Sequence, residues 1–122
     1  MSENKKYAIK IRLWIEESDD AFLDIGKIWL LENIQKTGLI TNASKEMKME
    51  CREACELIDE RNRRGESSLV EKLLGGKGGG GARLTEGGEN AIQIFHEIEK
   101  RINDFAQKET QNVKFYPFFC ER

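Results

Sequence analysis

Apolar and polar positions alternate from Tyr7 to Ile15. Tyr7, Ile9, Ile11, Leu13 and Ile15 fall on one side, and Ala8, Lys10, Arg12 and Trp14 on the other. That period of two predicts a half-buried strand over residues 7–15. Ser18-Asp19-Asp20 then supplies turn-forming residues. Beyond them the period lengthens. Asp24 is a good N-cap, Ile28, Leu31 and Ile34 share one helical face, and Gly38 stands where a C-terminal glycine ends a helix. The first helix is therefore predicted over 25–37.

A compact pair of helices follows, over residues 41–62. Thr41 is predicted to cap a short helix reaching Met47, and Lys48 and Met49 make a tight connection. The longer second helix carries Cys51, Ala54, Cys55 and Ile58 at the spacing of a buried stripe and runs to about Asn62. Two helices joined so briefly suggest helix-turn-helix. Arg61-Asn62-Arg63-Arg64-Gly65 breaks the pattern. Ser67 to Leu73 reads as a strand, a glycine-rich run follows, and Ala82-Arg83-Leu84 resumes a strand, so residues 68–84 have the layout of a wing. Thr85 caps a last helix over 86–107, whose Ala91, Phe95, Ile98, Ile102 and Phe105 recur with heptad spacing. Ile92 and Ile94 point away from that seam, which leaves more apolar surface than one small domain covers and predicts a homodimer contact. The aromatic tail, residues 108–122, either docks on the core or pairs with an edge strand. The fold class is mainly α with a small β-sheet: a winged helix-turn-helix with an N-terminal strand and a long C-terminal dimerisation helix.

Composition narrows the function. With 122 residues the chain supports one domain and a single modest core. Its net charge of −2 excludes binding to nucleic acid through bulk charge, so such binding must come from a local patch. No stretch is apolar enough for a membrane span, and Met1 to Lys6 lacks the apolar centre of a signal peptide, so a cytoplasmic protein without a membrane partner is expected. Cys51, Cys55 and Cys120 form no disulfide framework and no zinc-type ligand set; the first two read as core, and neither metal nor cofactor is expected.

Catalysis finds little support. A phosphate-binding loop of the Walker type would need a glycine where Glu71 stands and a serine or threonine where Gly78 stands. His96, the sole histidine, lies in the heptad helix with no nucleophile near it in sequence. The chain is not expected to be an enzyme.

Six of the eleven glycines fall within Gly75-Gly76-Lys77-Gly78-Gly79-Gly80-Gly81. Glycine lets backbone amides approach a ligand closely but is entropically expensive to order, so such a cluster implies a use. With its flanks, Leu73-Leu74 before and Ala82-Arg83-Leu84-Thr85 after, this run closely resembles the wing of the N-terminal DNA-binding domain of the molybdate-responsive transcriptional regulators (ModE), a LysR-like winged helix. The resemblance extends through Gly26-Lys27, Leu30-Leu31, Ile34, Thr37-Gly38, Ile40, Ala54, Asn62, Val70-Glu71 and the Thr85 to Gly88 spacing, covering roughly residues 7 to 107.

What the resemblance implies is recognition of double-stranded DNA by a homodimer. The 41–47 helix would brace the backbone and the following helix would enter the major groove. Thr41 and Asn42 would donate to phosphates, and Lys45 and Lys48 would neutralise them. Arg52 suits a guanine edge and Glu53 a cytosine. Gly76, Lys77, Gly78 and Arg83 would serve the wing's grip on the backbone. Three positions depart from the family pattern: Glu50 replaces a serine, Cys51 a tyrosine and Cys55 a tryptophan. Glu50, Glu53, Glu56, Asp59 and Glu60 also outnumber Arg52 and Arg61, and would repel phosphates. A protein-interaction module using this acidic helix is therefore the alternative reading. The chain ends soon after the last helix, so a single-domain form without the molybdate-binding domains is expected, with molybdate an unlikely ligand.

Overall fold

The computed structural model describes residues 7–73 and 81–113. The glycine-rich tip, with Gly76, Lys77 and Gly78, and the tail beyond Val113 lie outside the described residues. Contacts divide the chain into two compact units, Leu13–Phe95 and a second formed by Met1–Arg12 with His96–Arg122.

The larger unit opens with a hairpin: β1 (Trp14–Glu17) pairs antiparallel with β2 (Asp20–Asp24). The strand expected over 7–15 is thus displaced. Residues 7–13 take no strand structure, and Asp20–Asp24, expected as turn and cap, is the second strand. Pairing decides the difference, because alternation marks a strand only where a neighbour completes its backbone hydrogen bonds. Ser18 and Asp19 make the two-residue turn, both with positive φ (55° and 68°). Such turns match the twist of the strands they join.

Helix α1 (Ile25–Thr37) has the expected ends. Asp24 Oδ1 accepts the Lys27 amide at 3.0 Å, and Gly38 closes the helix at φ 76° with its amide donating to Ile34. Helix α2 (Ile40–Glu46) starts one residue earlier than expected, and its N-cap is Leu39, without a side-chain bond. Thr41 is therefore not the cap; it lies within the first turn, where its carbonyl accepts the Ser44 hydroxyl. The backbone holds this end instead: Leu39 bridges Gly81, and the Ala82 amide donates to the Gly38 carbonyl at 3.0 Å. Helix α3 (Cys51–Arg64) runs past Asn62 into the arginine cluster, whose positive charges suit the carbonyl end of the helix dipole.

Strands β3 (Val70–Lys72) and β4 (Ala82–Leu84) pair antiparallel as the base of the wing. Helix α4 spans Glu86–Asn112, five residues longer than expected. Thr85 caps it as anticipated, its hydroxyl oxygen accepting the Gly88 amide at 3.0 Å and its hydroxyl donating to the Ser68 carbonyl. Gly88 is required there, because a Cβ would lie 2.2 Å from the Leu69 carbonyl oxygen.

One core joins the elements of the larger unit. It contains Leu23, Ile28, Leu31 and Ile34, then Ile40 and Ala43 of α2, Ala54 and Ile58 of α3, Val70 and Ala82 of the wing, and Phe95 of α4. Phe95, expected at a dimer seam, is fully buried in this core, and Ala91 and Ile92 pack against it. At Phe95 the heptad spacing therefore marks burial within the chain's own core.

In the second unit, the Ile9 amide donates to the Thr110 hydroxyl, which in turn donates to the Ala106 carbonyl. Ala106 is buried, Ile98 and Ile102 are half-buried, and Phe105 is 62% exposed.

Candidate nucleic-acid interface

Helices α2 and α3 and the wing base are locked together by short-range chemistry. Met47 ends α2, and Lys48 takes positive φ (57°) so that its amide reaches Lys45 while Met49 reaches Ser44. For a lysine this conformation costs roughly 1–2 kcal/mol, so the surrounding bonds must hold it. The cost is spent on a sharp turn that presents α3. Met47 and Met49 pack against the core on either side of Lys48.

Asn62 ties α3 to the wing. Its Oδ1 accepts the amides of Leu69 at 2.8 Å and Val70 at 3.2 Å, and its Nδ2 donates to the Val70 carbonyl at 3.0 Å. One side chain thereby satisfies three backbone groups at the start of β3. The opposite strand is fixed to the residues before α2 by the Gly38 and Leu39 contacts described above. The wing base is consequently held at both ends of the helix-turn-helix.

The hairpin is fastened by Arg64, a residue whose role sequence reasoning missed. Its Nε donates to Glu17 Oε1 at 3.0 Å, its Nη1 to the Ala21 carbonyl at 2.7 Å, and its Nη2 to the carbonyls of Glu17 and Asp20, both at 2.9 Å. The guanidinium also lies 5.5 Å from the Phe22 ring centroid. Hydrogen bonds from Ser18 and then Arg64 hold the Glu17 carboxyl below the usual carboxylate range. All these partners are distant from Arg64 in sequence, so no local signal announces them.

The residues expected to contact DNA are largely accessible. Asn42, Lys45, Lys48, Arg52, Glu53 and Arg83 are exposed, and Thr41 is half-buried. The Arg52 side chain is 86% exposed and only loosely paired with Glu56 at 3.8 Å. Arg83, on the wing, pairs with Glu71 at 2.9 Å. Arg61, counted with Arg52 against the acidic residues of this helix, is buried and bonded to Glu60 at 2.8 Å. Asp59 is matched by Lys72 of β3 at 2.9 Å. Much of the negative charge on α3 is thus paired within the protein.

No helix among the described residues is long and apolar enough to cross a membrane. No family model matches the chain. Individual relatives do. The transcriptional regulator ModE of Yersinia pestis is 40% identical over 86 residues, which cover 70% of this chain and 33% of that protein. The DNA-binding transcriptional dual regulator ModE of Escherichia coli is 37% identical over the same length and shares. The transcriptional regulator ModE of Haemophilus influenzae is 32% identical over 91 residues, 75% of this chain and 36% of its own. The chain spans about a third of the length of these curated relatives.

Proposed function

We propose that this chain, a relative of the ModE transcriptional regulators over its helix-turn-helix region, is a homodimeric DNA-binding regulator acting in the cytoplasm through recognition rather than catalysis. The observation that carries the reading is the double anchoring of a wing beside a short helix pair, in a chain 37–40% identical to regulators of that name. Helix α3 reads the major groove, with Arg52 offering a bidentate donor to guanine and Glu53 an acceptor for the cytosine amino group. Asn42, Lys45 and Lys48 lie before and within the turn that leads into α3, where phosphate contacts set the docking register. Thr41 contributes from the first turn of α2. Gly76, Lys77, Gly78 and Arg83 supply the wing's hold on the neighbouring backbone.

Dimerisation rests on a shorter seam than the heptads suggested. With Ala91 and Phe95 engaged in their own core, Ile98, Ile102 and Phe105 remain as the contact between copies.

Binding to duplex DNA, measured against salt concentration and followed by selection from genomic fragments, tests the proposal. Arg52→Ala combined with Lys77→Glu is expected to abolish selective binding and flatten the salt dependence. No measurable binding by the parent protein at low salt would refute it.

A further inference from the structure

The start of α3 carries two free thiols, Cys51 and Cys55, one helical turn apart. At this spacing the side chains share a face, with Cβ atoms roughly 5–6 Å apart. Both residues are half-buried and pack against the core, so the pair is neither sealed in nor fully solvated. Asp59 follows one turn later, bonded to Lys72 of β3. Desolvation is the main influence raising the Cys55 thiol; the Lys72 ammonium opposes it, and the Cys51 thiol and Asp59 carboxylate add to it. The two thiols thus lie on the part of α3 that packs against the core, within the electrostatic influence of the Asp59–Lys72 pair.

The spacing discriminates between the chemistries open to such a pair. A disulfide needs Cβ atoms about 3.5–4.5 Å apart, closer than a regular helical turn brings them. A single bridging atom supplies the missing reach. Zinc would ask for four ligands or three plus water, and no group of three or more histidine, cysteine or carboxylate ligands occurs among the described residues. Thiolates are soft donors that select monovalent copper, for which two suffice in a near-linear arrangement.

We propose that Cys51 and Cys55 form a two-thiolate site for a soft monovalent ion of the copper(I) class. Binding breaks two S–H bonds, forms two metal–sulfur bonds and releases two protons to solvent, with no change of oxidation state. The ion staples the first turns of α3.

Anaerobic titration of the full chain with copper(I), in competition with a chromogenic chelator, tests this site. One ion per chain is expected. Affinity should fall by about 100-fold or more in Cys51→Ser and in Cys55→Ser, as a chelate becomes a single donor. Cys120→Ser should bind as the parent does. Undiminished binding in either of the first two variants, or loss in the third, overturns the proposal. Alkylation mapping of the unsubstituted chain gives a readout that does not depend on how the variants fold. One equivalent of copper(I) should protect Cys51 and Cys55 together, and protection of any other pair would overturn the assignment.

Discussion

Replacing Asn62 by alanine removes the side chain that joins α3 to the wing. Three hydrogen bonds disappear: two accepted from the Leu69 and Val70 amides and one donated to the Val70 carbonyl. Each contributes on the order of 1 kcal/mol net, and a buried amide left without a partner costs more than the lost bond alone. Leu69 and Val70 are both buried, so water has poor access to the groups that alanine abandons. The expected loss is about 2–4 kcal/mol. Against the roughly 5–15 kcal/mol typical of a small domain, that is a large share. Urea unfolding followed by far-UV circular dichroism measures it, with the midpoint expected to fall at nearly constant slope. DNA affinity should drop further than the unfolded fraction explains, because the wing loses its fixed position beside α3. A stability change under about 0.5 kcal/mol would show that these bonds are readily replaced by water. It would refute the view that Asn62 sets the geometry of the interface.

Gly88→Ala places a methyl group 2.2 Å from the Leu69 carbonyl oxygen, and should destabilise the fold by about 2–3 kcal/mol in thermal unfolding, since backbone rather than a mobile side chain must yield. Lys48→Gly relieves the positive φ of that lysine and should leave stability unchanged or raise it by up to about 1 kcal/mol, while weakening DNA binding; parallel melting and binding assays separate the two effects. Arg64→Ala releases the hairpin turn and should move the Glu17 titration, followed by NMR, toward the ordinary carboxylate range. Because the depressed Glu17 value favours the folded state above the unfolded pKa and loses that effect as pH falls through the folded value, the variant should also show a flatter acid limb of stability.

The legible parts of the fold were those specified by neighbouring residues. Asp24 and Gly38 bracket α1 because each acts on the backbone within a few positions, and Thr85 announces α4 for the same reason. The wing was visible from the glycine run and its apolar flanks. The β1–β2 hairpin was not, because Asp20 and Asp24 hide a five-residue strand among turn and cap residues. The start of α2 was misplaced because a backbone bridge from Gly81, rather than a side chain, fixes it. The tethering roles of Asn62 and Arg64 were not legible because of distance: their partners lie 7 to 47 residues away. Phe95 shows that periodicity identifies a buried face without naming the surface that buries it.

An acidic reading helix and binding to a polyanion are compatible once the pairing of its charges is considered. Exposed ion pairs contribute about 0–1 kcal/mol, so Arg83 can exchange Glu71, and Arg52 can exchange Glu56, for a phosphate or a base edge at little cost. Charge-assisted bonds to phosphate are stronger than the pairs they replace. The freed carboxylates, however, remain near the duplex and retain counterions of their own. Fewer counterions should therefore be released than a count of contacting lysines and arginines implies, and the salt dependence should be shallower than that of a basic helix-turn-helix. Non-specific affinity, which depends on that release, is penalised more heavily than recognition of a matched site, where hydrogen bonds to base edges compensate. In the proposed complex the carboxylates of α3 should thus lower total affinity while widening the gap between the correct sequence and the rest of the DNA.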